Sequence, residues 1–139
     1  MKIVIREDIL TPDTFAGLRA ACGMPELEPA LVERAIRTSL TAFSALSGTR
    51  TVGMARLVGD GAFVFLLCDL LVVPQWRRQG IGSLLVKTVV NRAKSFLPQG
   101  RAAVVSLFSA EGREGFYTRL GFTELPAAGL GAGMQIFRL

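Results

Sequence analysis

Residues 70–83, Leu-Leu-Val-Val-Pro-Gln-Trp-Arg-Arg-Gln-Gly-Ile-Gly-Ser, constrain this chain more than any other stretch. An apolar, strand-like run meets Pro74, a basic turn follows, and a helical pattern begins at the second of two glycines. A turn of this kind aims several backbone N–H groups in one direction, at the positive end of a helix dipole. Gly80 and Gly82 carry no Cβ, so a bulky anion can approach the main chain closely. Pyrophosphate binding is the chemistry this suits.

Two familiar phosphate loops do not fit. A P-loop needs Lys-Ser/Thr after its last glycine, and that pair is missing here. A dinucleotide fingerprint needs a third glycine where this chain has Leu85. A lone Gly-x-Gly is also compatible with an ordinary strand-turn-helix. The run Arg-x-x-Gly-x-Gly (Arg77, Gly80, Gly82) after a Val-x-Pro strand end is more specific.

The 139 residues suit a single domain, and with half of them hydrophobic and 19% charged a packed core is expected. The longest apolar run, residues 62–73, is broken by Asp69 and is shorter than the roughly 20 residues a bilayer requires. The first residues enter strand-like alternation without an apolar leader, so a cytoplasmic location is expected. Cys22 and Cys68 are isolated and fit reduced, buried small hydrophobes. The chain has no histidine, which excludes His-dependent triads and His-containing zinc sites within it. The net charge of +5 is scattered except at Arg77-Arg78, with no basic stripe interleaved with aromatics, so nucleic acid is not the expected partner.

Periodicity predicts a strand over residues 2–6, then a helix capped by Thr11, with Pro12 at its first position and Gly23 after its end. A second helix is predicted over 30–40, with Leu31, Ala35, Ile36 and Leu40 as its apolar stripe. Strands over 41–47, 51–58 and 62–73 with short turns imply an antiparallel meander. The third, apolar on both faces, should lie centrally. The strongest helix covers 81–97, with Ser83, Lys87, Asn91 and Lys94 wet, and Leu84, Leu85, Val89 and Ala93 largely opposite. A strand over 102–108, parallel by its helical connection, precedes a short helix over 111–120 stopped by Gly121. Final strands are predicted over 122–125 and 133–138. This order describes an α+β fold with a mixed sheet.

A second motif is Gly115-Phe116-Tyr117-Thr118-Arg119-Leu120-Gly121-Phe122. Together with Arg-x-x-Gly-x-Gly it resembles the GCN5-related N-acetyltransferase (GNAT) family over roughly residues 51–122. The resemblance implies the acyl-CoA N-acyltransferase fold, a mixed, mostly antiparallel central sheet flanked by helices on both faces. It implies acetyl-CoA as co-substrate, no metal, and a small-molecule or peptide amine as acceptor. Leu70, Leu71 and Val72 would pair their backbone with the pantetheine amides. Arg78, Gln79, Gly80, Ile81, Gly82 and Ser83 would offer main-chain N–H groups to the pyrophosphate, and N–H groups near Leu71 and Val72 would face the thioester carbonyl. Tyr117 would protonate the departing thiolate.

Asp69 stands in an apolar strand, where a carboxylate is costly unless paired or poised for use. Either it receives the amine proton, directly or through water, as an acidic residue at this position does in some acetyltransferases, or it accepts structural hydrogen bonds. The chain departs from the family pattern at Ala110, where many relatives carry a cofactor-binding asparagine seven residues before the tyrosine. A non-catalytic acyl-CoA sensor or interaction module is therefore the competing expectation. A homodimer through a terminal strand is implied by the resemblance alone.

Overall fold

The computed structural model describes residues 2–137, and the chain divides into two compact units, 1–107 and 108–139. In the first unit β1 (Ile3–Glu7) leads into helices α1 (Pro12–Ala21) and α2 (Pro29–Thr38). The meander β2 (Thr41–Ser47), β3 (Arg50–Gly59) and β4 (Phe65–Val72) follows, then a single 3-10 turn over Pro74–Trp76, helix α3 (Ile81–Ser95) and the two-residue strand β5 (Val105–Ser106). The sheet order is β1-β2-β3-β4-β5, with every pairing antiparallel except β4 with β5.

Local chemistry accounts for most boundaries. The Thr11 hydroxyl accepts from the Thr14 N–H at 3.2 Å and Pro12 opens α1, while Gly23 beyond its end has φ +72°. The predicted start of the third strand at residue 62 is corrected to Phe65. One carboxylate oxygen of Asp60 accepts from the N–H groups of Ala62, Phe63 and Val64 at 2.8–2.9 Å, and this holds them in a turn. Those three bonds also keep the Asp60 carboxyl below its ordinary pKa. Gly59 closes the same turn at φ +151°, where an added Cβ would lie 1.8 Å from the Val64 carbonyl oxygen.

The sheet is covered on both faces. On one, Leu10, Phe15, Leu18 and Val32 pack with Ala42, Met54, Leu71 and Val73. On the other, α3 buries Ile81, Leu85, Val86, Val89 and Ala93, with Ile81 and Leu85 pressed against Gly53 of β3. Full burial of a side chain such as Phe15 or Leu85 stabilises by roughly 1.5–3 kcal/mol.

Two helical stripes are shifted from expectation. Val32 is the buried residue of α2 while Leu31 is exposed, because the spacing 32, 35, 36, 39 follows the face toward α1 better. In α3, Leu84 is 41% exposed and Val86 takes the inward place. The predicted strand 102–108 shortens to Val105–Ser106.

In the second unit α4 (Glu114–Arg119) is shorter than the predicted 111–120 helix, since Gly112 takes φ +83° and cannot extend it. Gly121 at φ +98° ends it as expected. The strand expected over 122–125 is not formed. The 133–138 strand is likewise not formed up to Phe137, and Arg138 lies outside the described residues. Pro126 offers no N–H, and the glycine-alanine tract turns back through a lone bridge between Ala127 and Leu130.

Candidate active site

The site grows from an irregularity in β4. Leu71 pairs with Met54 and Cys68 with Arg56, so three steps along β4 oppose two along β3. The extra residue forms a bulge, and Asp69 within it has φ +51°. Aspartate tolerates this left-handed conformation better than the leucines around it.

The other edge of β4 separates from its parallel neighbour shortly before this bulge. Pairing with β5 covers only Phe65 with Val105 and Leu66 with Ser106. Beyond Leu66, β4 has no strand partner on that edge among the described residues. The Val73 N–H donates to the Val52 carbonyl at 2.9 Å, so the antiparallel alternation turns Val72 away from β3, Leu71 toward it, and Leu70 away again. Of the three residues expected to meet a pantetheine arm, Leu70 and Val72 thus present main-chain groups to the open edge, and Leu71 gives its own to Met54. The Val72 carbonyl already accepts from Arg77 Nε at 2.9 Å and from the Cys22 thiol at 3.5 Å, which ties the turn and the end of α1 to β4.

The turn itself has the expected form. Gly80 is the N-cap of α3 at φ +81°, with nothing within 4 Å of where a Cβ would stand. Arg78 precedes it in the left-handed region at φ +60°. The N–H groups of Arg78, Gln79, Gly80, Ile81, Gly82 and Ser83 donate to no acceptor among the described residues. Six successive free donors at a helix N-terminus, flanked by Arg77 and Arg78, are a cradle for a diphosphate. Trp76 packs against the apolar cluster around Phe15 and so shapes the turn from beneath.

Asp69 is heavily engaged. Arg56 Nε donates to its Oδ2 at 2.7 Å, and Arg19 Nη1 lies 3.7 Å from its Oδ1. Arg56 is fixed in turn by the Ala35 carbonyl, the Ser39 hydroxyl and the ring of Phe15. Cys68, beside this cluster, has its thiol pKa raised, mainly by burial, against the lowering pull of Arg56. Sequence reasoning missed both arginines. For Arg56 a signal existed, since it is a lone charge inside the apolar run 52–58 of a strand that must pair with the one holding Asp69.

Tyr117 belongs to the second unit. Its ring meets Phe116 and Phe122 edge-on, at centroid distances of 5.0 and 5.9 Å. Burial raises the phenol pKa above its usual value, partly offset by Arg113. Its hydroxyl has no hydrogen-bond partner among the described residues.

A bulged, mostly antiparallel sheet that opens beside a glycine turn defines the acyl-CoA N-acyltransferase fold, and known proteins agree. The family profile described as an acetyltransferase (GNAT) domain matches residues 39–124. A GNAT family acetyltransferase of Streptococcus pneumoniae TIGR4 is 32% identical, with a TM-score of 0.81 over 99% of this chain and 100% of that one. A protein of unknown function from meticillin-resistant Staphylococcus aureus is 25% identical, with a TM-score of 0.84 and the same coverage. GCN5-related N-acetyltransferase 1, chloroplastic, of Arabidopsis thaliana is 31% identical over 119 residues, 84% of this chain. The chain spans 58% of that relative's length and 28% of a second chloroplastic Arabidopsis relative's. The chain belongs to the GNAT acetyltransferase family. Among the described residues no helix is long and apolar enough to cross a membrane, and no three His, Cys, Asp or Glu side chains cluster as metal ligands would.

Proposed function

We propose that the chain is an acetyl-CoA-dependent N-acetyltransferase that transfers an acetyl group to a primary amine by direct attack. The observation that carries this reading is the run of six free N–H groups at Arg78–Ser83, continuous with the open edge of β4. Such donors fit a diphosphate, and the main chain of Leu70 with the N–H of Val72 fits an amide-bearing arm. We take residues 1–139 as one functional domain, because the family match runs across the division between the two units.

Acetyl-CoA supplies the acyl group already activated as a thioester. Main-chain N–H groups of Leu70 and Val72 donate toward the carbonyl oxygen as negative charge develops on it. Tyr117 delivers its proton to the departing sulfur. A phenol near ~10 is a weaker acid than a thiol near ~8.5, so full transfer is uphill by roughly 1.5 pKa units at equilibrium. Tyr117 acts by donating to the sulfur as charge builds on it, and burial keeps the phenol protonated at neutral pH. The amine proton passes to Asp69, directly or through water. The acceptor is a small-molecule or peptide amine. We place the reaction in the cytoplasm, where Cys22 and Cys68 would remain free thiols. We place the homodimer contact on the 131–137 segment, in which Met134, Ile136 and Phe137 are exposed.

Calorimetry with acetyl-CoA, paired with thiol-release assays on an amine panel, tests the proposal. Binding heat together with turnover is the expected result, and no heat with acetyl-CoA or coenzyme A would overturn it. Tyr117→Phe separates an enzyme from a sensor. Its kcat should fall by about 100-fold or more while acetyl-CoA affinity stays within a factor of about two. A sensor would show binding without turnover in either form.

A further inference from the structure

The cluster around Asp69 carries more positive charge than it can neutralise internally. Arg19, Arg56 and Asp69 have side chains only 12%, 13% and 16% exposed, so two guanidiniums and one carboxylate are largely withdrawn from water. Among the described residues no second carboxylate stands within ion-pair distance of either arginine. Glu7 is paired with Arg92, and Glu33 with Arg37.

The two arginines are not equally occupied. Arg56 donates to Asp69, the Ala35 carbonyl and the Ser39 hydroxyl. Arg19 donates through Nη2 to the Pro25 carbonyl at 3.0 Å, and its Nη1 only approaches Asp69. Its Nε is buried and has no acceptor among the described residues. A buried donor on a charged group without a partner is costly, as is an uncompensated cation away from water. An incoming anion at the exposed part of the Arg19 guanidinium would compensate the excess charge.

We infer that the acceptor is an amine carrying a carboxylate, with Arg19 receiving the carboxylate and so orienting the amine for attack. Asp69 directly precedes Leu70, where the proposed thioester carbonyl is held, so the charge pair adjoins the reacting end of β4. A cluster with one guanidinium in excess favours an acceptor that carries a carboxylate and mismatches a simple alkylamine, whose single cation gains nothing from Arg19. The inference names the substrate class of the acetyl transfer proposed above and rests on that reading.

Matched pairs test it without mutating the protein: aminocarboxylates of two to five carbons against the primary amides of the same length. Each acid should show kcat/KM at least about tenfold above its amide, since a hydrogen bond to a charged group is worth that factor or more. The advantage should shrink as salt is raised. Arg19→Gln should bring the ratio near one, Arg19→Lys should restore part of it, and acetyl-CoA affinity should not change. A dicarboxylate without an amine, glutarate, should raise the melting temperature of the native protein and not of Arg19→Gln. Acetyl-CoA heat with equal kcat/KM for acids and amides, or no glutarate shift, overturns this inference alone. Absence of acetyl-CoA heat overturns the acyl-transfer reading, and a glutarate shift lost in Arg19→Gln would still show the anion site.

Discussion

Asp69 shows how much one side chain can be asked to do. It occupies a left-handed backbone position, holds two arginines, and stands three residues beyond the last pairing of β4 with β5. Asp69→Asn would leave both guanidiniums without a counter-charge. Removing one partner of a mostly buried pair costs about 3 kcal/mol, so the melting temperature should fall by several degrees. At a temperature where the variant remains folded, kcat should drop with acetyl-CoA affinity unchanged. Unchanged kcat at saturating acceptor would take Asp69 out of the chemistry and leave it a purely structural ion. The position was visible in the sequence as a charge in an apolar strand; its two partners were not. Arg19 is fifty residues upstream on a helix, and no local pattern says which strand a helical arginine will face.

At the scale of elements, the β4-turn-α3 unit was read with little error because its determinants are local. Proline, two glycines and an amphipathic helix each fix backbone angles through their own sterics. Gly80→Ala tests that unit. A left-handed alanine is strained by about 1 kcal/mol, and its methyl group would enter the open space before the free N–H groups. Acetyl-CoA affinity should weaken by about tenfold, read by calorimetry, with only a small fall in melting temperature. An unchanged affinity would mean that the anion does not rest on this turn. Elements without such punctuation were read less well. The strand predicted from residue 62 starts instead at Phe65, because Asp60 satisfies three N–H groups locally before any ladder can. The predicted strand at 122–125, and that from 133 as far as Phe137, did not form because apolar alternation alone supplies no neighbour to pair with.

At the scale of the first unit, distant segments are fastened by a few specific contacts. Glu7 on β1 accepts from Thr41 Oγ1 on β2 and from Arg92 Nε on α3, both at 2.7 Å. The Thr41 hydroxyl and Arg92 hold its carboxyl below its usual pKa of 4.5. A depressed folded-state value means that the contribution is present above the unfolded pKa and lost as pH falls through the folded one. Because both partners of the ion pair are 37% exposed, solvent screening limits the effect to less than about 1 kcal/mol. Thermal melts should therefore show the native protein losing its advantage over Glu7→Gln below about pH 4.5. A constant difference from pH 7 to pH 3 would remove the linkage.

The amino-acid order alone determined the meander, the capped helices, the glycine turn and the two motifs that mark the family. Each depends on residues a few positions apart, whose sterics and periodicity act before the chain has folded. Only tertiary structure decided that β4 carries an extra residue opposite β3, that Leu70 and Val72 rather than Leu71 face the open edge, and that Arg19 and Arg56 converge on Asp69. Those outcomes depend on strand register and helix docking. A one-residue slip in strand register would reverse every facing side chain, and one residue along a helix turns its face by about 100°; the free energy that selects among these is summed over the whole packed core.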